Sequence, residues 1–215
     1  MKNGFFKQTK ETEEFPVITV AILGKKSDRR ITDYSFRAFD GICPCLFLTP
    51  FGTVRTTDET SNGEVFDPLI IFWDSENAET NCIPDIILLK DSCESAAPLV
   101  KENTTVIFHS ANRTHLETVQ GMSIHAIACG PSERDTITFS SALAEQPVLC
   151  VQRSIHTLDG EEMEPFELPI ETGSGWARYP LQCVFALLVL LGIPERIHCI
   201  FEKSILHSIQ KNEIK

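Results

Sequence analysis

The segment VITVAILGKKS, residues 17–27, joins a short β-branched apolar run to a glycine and two lysines. An apolar run of this length, ended by Gly24, is typical of a strand that is buried on both faces of a parallel sheet. Ligands of open α/β sheets usually bind at the carboxyl ends of the strands, which is where the two lysines follow. The segment therefore predicts both a fold class and the place of a binding site.

The first two thirds of the chain alternate apolar strands with connecting segments. The predicted strands are residues 17–23, 45–49, 69–73, 85–89, 105–109 and 124–129, and residues 53–57 are interpreted as a polar extension of the second strand. The predicted helices are residues 31–39, 95–101 and 114–120. This alternation favours an α/β fold with a mainly parallel sheet flanked by helices.

The last third has a different pattern. Strand candidates at 136–141, 148–154, 155–158 and 166–170, with a turn signal at Asp159-Gly160, predict a small antiparallel flap over about 136–170. Two closing helices are predicted at 178–191 and 197–209, and the first should be central because it is apolar on almost every face. Residues 16–215 are expected to form a single domain after a tail of residues 1–15.

Composition limits the classes of function. The chain has 215 residues, with 19 Lys+Arg against 30 Asp+Glu, and the net charge of −11 argues against nucleic-acid and membrane-surface partners. We expect a cytoplasmic protein, because the first residues do not resemble a signal peptide. The eight cysteines include no C-x-x-C and are interpreted as reduced core thiols, although Cys43 and Cys45 could also form a redox or metal pair.

The order of these segments resembles the central, ATP-binding domain of the Mur ligases and of the related cyanophycin and folylpolyglutamate synthetases. Residues 174–194 resemble the family's helix that normally begins G-x-H-N-x-x-N and ends L-G-I-P, and Leu191, Gly192, Ile193 and Pro194 keep that ending. The other similar stretches are the first strand with its P-loop at 17–27, VIFHSANRT at 106–114, IHAIACGPSERDTIT at 124–138, and 160–170.

The P-loop is the first place where the sequence departs from the family. A P-loop needs glycines so that its backbone N–H groups can surround phosphates, together with a lysine and a hydroxyl. Without a gap, Lys26 and Ser27 take the lysine and hydroxyl positions, but Ile22 and Lys25 replace the two glycines. A one-residue deletion aligns Gly24 and Lys25 with G-K and leaves Lys26 in the hydroxyl position. Both alignments predict a loop that cannot close normally around phosphate.

The adenine and metal positions also depart from the family pattern. The H-N-x-x-N adenine contacts fall on Trp176, Ala177 and Pro180, whose side chains cannot supply amide hydrogen bonds. The T-N-x-x-x-D-H segment is replaced by KDSC at 90–93, without the histidine that helps to hold the second metal. Asp74, followed by Glu76, could take the place of the family's magnesium glutamate, and the alternative is an ordinary solvated loop.

Residues 25–30 contain the only dense group of cations in this acidic sequence. A helix amino terminus together with cations attracts anions, so this segment predicts a residual anion site, with a solvated basic turn as the alternative. The predicted site comprises Gly24, Lys25, Lys26, Ser27 and Arg29.

A thiol–imidazole pair is a further candidate. Cys129 ends a predicted strand and could pair with His109, His115 or His125, since strand ends gather at one edge of a sheet. The alternative is a cysteine packed in the core.

Two functions follow from the resemblance. The first is a catalytically inactive Mur-ligase-like domain, without cofactor, that acts as a binding or regulatory module for an unknown protein partner or a small anionic ligand, in connection with cell-wall precursor metabolism. The alternative is a divergent ATP-dependent amide ligase or nucleotide-binding enzyme that keeps Lys26, Ser27 and Asp74 for Mg-ATP. It would borrow from other chains the two flanking domains for which this length leaves no room.

Overall fold

The computed structural model describes residues 17–56, 69–76, 83–94, 104–120, 123–141, 146–172 and 175–201. The predicted tail 1–15 and the predicted helix 95–101 lie outside these residues. In chain order the elements are β1 Ile18–Leu23, α1 Arg30–Phe39, β2 Cys45–Thr49, β3 Gly52–Arg55, β4 Ile70–Ser75, β5 Ile86–Leu89, β6 Thr105–His109, α2 Arg113–Val119, β7 His125–Cys129, β8 Ile137–Ser141, β9 Val148–Val151, β10 Ile155–His156, β11 Glu162–Met163, β12 Phe166–Pro169, α3 Arg178–Leu190 and a 3-10 helix Pro194–Ile200.

One sheet organises the fold. Its strand order is β3-β2-β4-β1-β5-β6-β7-β8-β9-β12, and the pairs from β2 to β8 are parallel. The strands β3, β9 and β12 pair antiparallel at the two ends of this arrangement. The predicted α/β class with a mainly parallel sheet is confirmed. Residues 20–23 of β1 are fully buried, as a β-branched apolar run in the middle of a sheet requires.

Helix α3 provides much of the core. Its residues 179–190 are all buried, and it packs against α1 and against β6, β7 and β8. A helix that is apolar on every side has no face suited to water, so it must lie between other elements. Gly192, at φ +72°, ends the helix in the left-handed conformation that glycine adopts most easily. The predicted central position of this helix is confirmed.

The antiparallel region is divided between two sheets. The strands β10 and β11 form a small two-stranded sheet, as the Asp159-Gly160 turn predicts. The neighbouring strands β8, β9 and β12 instead extend the edge of the main sheet. Over the described residues, no helix combines the length and apolarity that are needed to cross a bilayer.

Two local assignments from the sequence are wrong. Residues 53–55 do not extend β2: the chain turns back after Thr49, and β3 pairs antiparallel with β2. Gly52 allows this turn at φ +138°, and the Thr49 hydroxyl donates to its carbonyl oxygen at 2.8 Å. The segment after α3 is a 3-10 helix that begins at Pro194 rather than an α-helix that begins at Ile197, and residues 202–209 lie outside the described part.

The central position of α3 makes a stability prediction. Leu187→Ala removes a fully buried side chain from the middle of α3, so we expect a loss of about 2–5 kcal/mol of unfolding free energy in urea titrations. Leu116→Ala, on α2 with the side chain 43% exposed, is the control and should change it by at most about 0.5 kcal/mol. Equal losses for the two variants would contradict the central position of α3.

Candidate site at the carboxyl edge of the sheet

The loop from β1 to α1 lies directly on the first residue after β5. Because β4 and β5 both pair with β1, the carboxyl ends of the three strands lie side by side. Gly24 has φ +139°, and a Cβ added there would approach the Cβ of Lys90 to 2.6 Å. Both the backbone conformation and the lack of space therefore require glycine at this position.

A buried ion pair lies beneath this loop. The Lys90 Nζ is 2.6 Å from Asp74 Oδ1, and both residues are buried, Lys90 completely. The same ammonium donates to the Lys25 carbonyl oxygen at 3.2 Å, and the Thr32 hydroxyl donates to Asp74 Oδ2 at 2.5 Å. A charge without a partner is very costly to bury, so each member of the pair holds the other in place.

The backbone N–H groups of the loop already donate to acceptors of the protein. In a P-loop, such groups point at phosphate oxygens. Here the N–H groups of Gly24, Lys25 and Lys26 donate to the Ser75 carbonyl oxygen at 3.0 Å, the Ser92 hydroxyl at 2.9 Å and Glu76 Oε1 at 2.8 Å, respectively. A phosphate at this loop would have to displace the Ser92 and Glu76 side chains.

The charges of the basic segment are partly neutralised. Arg30 binds Asp28 through two nitrogens, at 2.9 and 2.8 Å, and this hydrogen bonding lowers the pKa of the Asp28 carboxyl. Arg29 binds Asp33 at 3.3 Å, while burial raises the pKa of that carboxyl. The ammonium groups of the exposed residues Lys25 and Lys26 have no carboxylate partner within the described parts of the chain.

A cavity of about 480 Å³ opens to solvent beside the loop. It lies between the loop and the ends of β2 and β4, and the pairing of these two strands brings Trp73 next to Leu48. Its lining residues are Lys26, Leu48, Thr49, Pro50, Trp73, Asp74, Ser75 and Glu76.

The predicted residues meet at this edge of the sheet. Gly24, Lys25, Lys26, Ser27 and Arg29 share the loop, and Lys26 lines the cavity together with Asp74. The described residues contain no group of three or more histidine, cysteine or acidic side chains that could hold a metal. A magnesium ion at Asp74 would have to replace the Lys90 ammonium, so this arrangement does not fit a bound metal. The anion and metal assignments stay predictions.

Sequence reasoning missed Lys90 as a member of the site. The signal is present, because IILLK at 86–90 places a cation directly after an apolar strand, and Asp74 ends another strand with the opposite charge. Only the sheet order shows that the two strands lie on either side of β1.

A second polar cluster lies at the same edge of the sheet. His109 Nδ1 lies 2.6 Å from Asp91 Oδ1, and the His109 ring stacks on Tyr179 at a centroid distance of 4.3 Å. The His109 backbone N–H donates to His115 Nδ1, so the proton of His115 lies on Nε2 and is donated to the Lys90 carbonyl oxygen at 3.0 Å. Burial lowers the pKa of His115, which keeps that acceptor nitrogen free of a proton.

The thiol–imidazole pair is not formed. The Cys129 thiol donates to the Gln182 carbonyl oxygen at 3.7 Å, and the third candidate histidine, His125, contacts the Thr105 hydroxyl. Cys129 is fully buried, and burial raises the pKa of its thiol, which favours the protonated sulfur over the nucleophilic thiolate. These contacts fit the interpretation of Cys129 as a cysteine packed in the core.

Cys43 and Cys45 also fit core packing. Their sulfurs are 3.5 Å apart within the main apolar cluster, and their mutual hydrogen bond, together with burial, raises the pKa of Cys45. The Thr56 hydroxyl accepts from the Cys45 N–H and donates to the Cys43 carbonyl oxygen.

The positions aligned with the adenine contacts are used for packing. The ring of Trp176 packs against Phe139 at a centroid distance of 5.2 Å, and the Ala177 N–H donates to the Tyr34 hydroxyl at 3.2 Å. Pro180 is buried in the first turn of α3.

The ion pair predicts a specific mutational pattern. Lys90→Met leaves the Asp74 carboxylate buried without a partner, so we expect a loss of about 3–5 kcal/mol of unfolding free energy. The double variant Lys90→Met/Asp74→Asn should recover a large part of this loss, since the amide oxygen still accepts from Thr32. Urea titrations of the two single variants and the double variant measure the coupling. Additive losses would show that the pair does not interact as described.

Comparison with protein-family models finds no match, and comparison with curated proteins finds none either. Solved structures do match. The UDP-N-acetylmuramate:L-alanyl-gamma-D-glutamyl-meso-diaminopimelate ligase from Neisseria meningitides is 11% identical, with a TM-score of 0.56 over 85% of this chain and 64% of that chain. Folylpolyglutamate synthetase from Lactobacillus casei is 8% identical, with a TM-score of 0.54 over 87% and 62%.

A third match is the MurF ligase from Thermotoga maritima, solved in complex with ADP, at 10% identity and a TM-score of 0.50 over 83% of this chain and 46% of that chain. The chain thus spans between 46% and 64% of the length of these three proteins. Identities this low show likeness of fold alone. The sheet order, the central helix and these matches together show that the chain has the fold of the Mur ligase central domain.

Proposed function

We propose that this protein is a Mur-ligase-like domain that has lost ATP chemistry and acts as a binding or regulatory module. The observation that carries this proposal is the Lys90–Asp74 ion pair beneath the β1–α1 loop. A magnesium nucleotide needs a carboxylate that is free to bind the ion or its water ligands. The carboxylate of Asp74 is instead held by an ammonium of the protein and by the Thr32 hydroxyl.

The loop itself supports the same conclusion. Its N–H groups donate to Ser75, Ser92 and Glu76, and the Glu76 carboxylate brings a negative charge to the place where a phosphate would approach. Phosphate binding would therefore cost both the existing hydrogen bonds and the repulsion between two anions. Because these N–H groups already have acceptors within the protein, they need no ligand to complete their hydrogen bonds.

The residues at the positions aligned with the adenine contacts also take part in packing and hydrogen bonding within the protein. Trp176 packs on Phe139, and the Ala177 N–H is bound by Tyr34. Neither position offers the side-chain amide that reads an adenine edge. The contacts of the loop, of Asp74 and of these positions together favour a role that does not use ATP.

The context we propose is the cytoplasm, in connection with cell-wall precursor metabolism, and the partner we propose is another protein. The support is likeness of fold to ligases whose names state that they act on UDP-N-acetylmuramate derivatives. The net charge of −11 disfavours nucleic acids and anionic lipid surfaces as partners.

The alternative, a divergent ATP-dependent ligase, has one structural observation in its favour. Lys26 has an ammonium without a carboxylate partner among the described residues, and it lines the cavity together with Asp74. That function would require Mg-ATP to bind at this edge through Lys26, and it would require flanking domains from other chains.

Thermal unfolding with and without millimolar Mg-ATP tests the proposal. We expect no change in Tm, whereas a ligand at about 100 times its Kd would add roughly 2.7 kcal/mol and raise Tm by several degrees. A Mur ligase with an intact P-loop is the positive control. A rise that is abolished by Lys26→Ala but kept in Lys25→Ala, its neighbour in the loop, would refute the proposal and support the divergent ligase.

A further inference from the structure

The Asp91–His109 pair of the second polar cluster has the geometry of an activated histidine. Asp91 Oδ1 lies 2.6 Å from Nδ1 of His109, and since a carboxylate can only accept, Nδ1 carries the proton and donates it. The lone pair of the neutral ring then lies on Nε2. A carboxylate that holds Nδ1–H keeps the ring in this tautomer and stabilises the positive charge that forms when Nε2 reacts.

Three further contacts hold the pair in place. The His109 ring stacks on Tyr179 with 12° between the ring planes. The His109 backbone N–H donates to His115 Nδ1 at 3.0 Å, and the Asn112 side chain donates to the Asp91 carbonyl oxygen at 2.8 Å. A ring that is already oriented does not have to be ordered before it reacts.

The second ring nitrogen of His109, Nε2, is open to solvent. It has no hydrogen bond within the described parts of the chain, where the buried side-chain nitrogens and oxygens without a partner are Ser35 Oγ and Arg196 Nε. The His109 side chain is 23% exposed and that of Asp91 is 41% exposed. The two nitrogens of an imidazole point away from each other, so the carboxylate at Nδ1 leaves the approach to Nε2 free.

The charges around the pair largely offset one another. Arg30 binds Asp28, and the pKa of Arg30 is raised mainly by this hydrogen bond and further by the charge of Asp91, so the guanidinium lies within electrostatic reach of the pair. The Lys90 ammonium is matched by the carboxylate of Asp74. Charge alone therefore does not select a ligand here, and the chemistry of Nε2 has to do so.

The surroundings of Nε2 favour a nucleophile over a metal ligand. The described residues contain no group of three or more histidine, cysteine or acidic side chains, whereas a protein usually holds a zinc ion with three or four ligands. Histidine is also a nucleophile in group transfer. An acyl group on an imidazole is soon lost to water, but a phosphoryl group on Nε2 persists and changes the charge of the protein.

We propose that His109 is a phosphorylation site at which Nε2 receives a phosphoryl group from a donor with a P–N bond, and that Asp91 is its positioning residue. The Nε2 lone pair attacks the phosphorus atom and forms the new N–P bond. The P–N bond of the donor breaks, and the donor nitrogen leaves with its electron pair as a neutral base. Nδ1 keeps its proton, and the positive charge of the ring lies against the Asp91 carboxylate.

The class of donor rests on the proposed function. A chain that does not hold a magnesium nucleotide needs a donor that reacts without the metal. In a P–N donor the bond that breaks is of the same kind as the bond that forms, so the transfer needs no further source of free energy.

The segment that carries Asp91 also holds the β1–α1 loop. Lys90, before it, donates to the Lys25 carbonyl oxygen at 3.2 Å, and Ser92, after it, accepts from the Lys25 N–H at 2.9 Å. A phosphoryl group brings a charge of about −1.5 to −2. Phosphorylation of His109 thus adds negative charge beside the residue that lies between these two contacts, which gives the module a means of regulation.

Potassium phosphoramidate provides the test. The full chain is incubated with this donor, and the phosphoryl group is located by peptide mass spectrometry at neutral pH and by NMR of the imidazole rings. We expect His109 to be labelled on Nε2 about tenfold faster than His156 or more. His156 is an exposed histidine of β10 with no carboxylate partner among the described residues. Mg-ATP alone should give no label.

Asp91→Asn tests the positioning residue. The amide oxygen can still accept from Nδ1, but the negative charge is lost, so the rate of labelling at His109 should fall about tenfold. Glu195→Gln, which removes an exposed carboxylate from the 3-10 helix, is the control and should be labelled at the rate of the parent protein. Because the replaced side chains are largely exposed, both variants should melt at nearly the temperature of the parent.

Four results would overturn the proposal. They are equal labelling rates at His109 and His156, labelling on Nδ1 instead of Nε2, an unchanged rate in Asp91→Asn, and labelling by Mg-ATP alone. Failure of the proposed function is measured separately. It would appear as a rise in Tm of the unlabelled chain with Mg-ATP, and that rise does not depend on the ratio of the two labelling rates.

Discussion

The buried ion pair between Lys90 and Asp74 is the interaction on which the carboxyl edge of the sheet depends. Neither charge could be buried alone, so the two side chains must meet, and they meet beneath the loop that follows β1. The Lys90 ammonium also binds the Lys25 carbonyl oxygen, and the Cβ of Lys90 leaves no room for a side chain at Gly24. The position of the loop thus depends on the charged side chain of Lys90 rather than on a bound ligand.

The same pair lies at the edge of the sheet where ligands of open α/β sheets usually bind. The Asp74 carboxylate is held by Lys90, and the N–H groups of Lys25 and Lys26 are held by Ser92 and Glu76. The side chains of Lys25 and Lys26 are exposed, and Lys26 lines the cavity beside the neighbouring hairpin.

Much of the fold could be predicted from the sequence because a long apolar segment is stable only where it is buried in the core. The runs that became β1, β4 and β6 lie within one or two residues of their predicted bounds, and α3 is central because every face is apolar. The errors lie in short segments whose structure is decided by tertiary contacts. Residues 53–55 turned back as β3 through the conformation of Gly52, since local alternation does not state which edge a strand will pair with. The segment after α3 formed a 3-10 helix from Pro194 instead of a helix from Ile197.

By itself the sequence determined the fold class and the order of most of the elements, the net acidic charge and the absence of glycines at the two positions that resemble those of a P-loop. It also placed Gly24, Lys25, Lys26, Ser27, Arg29 and Asp74 at one edge, because the ends of parallel strands gather there. Only the tertiary structure decided what these residues contact. Asp74 lies on β4 and Lys90 directly follows β5. These two strands are consecutive along the chain, but they lie on opposite sides of β1 in the sheet. The two charges therefore meet across a strand that carries neither of them, and no local sequence pattern predicts that contact.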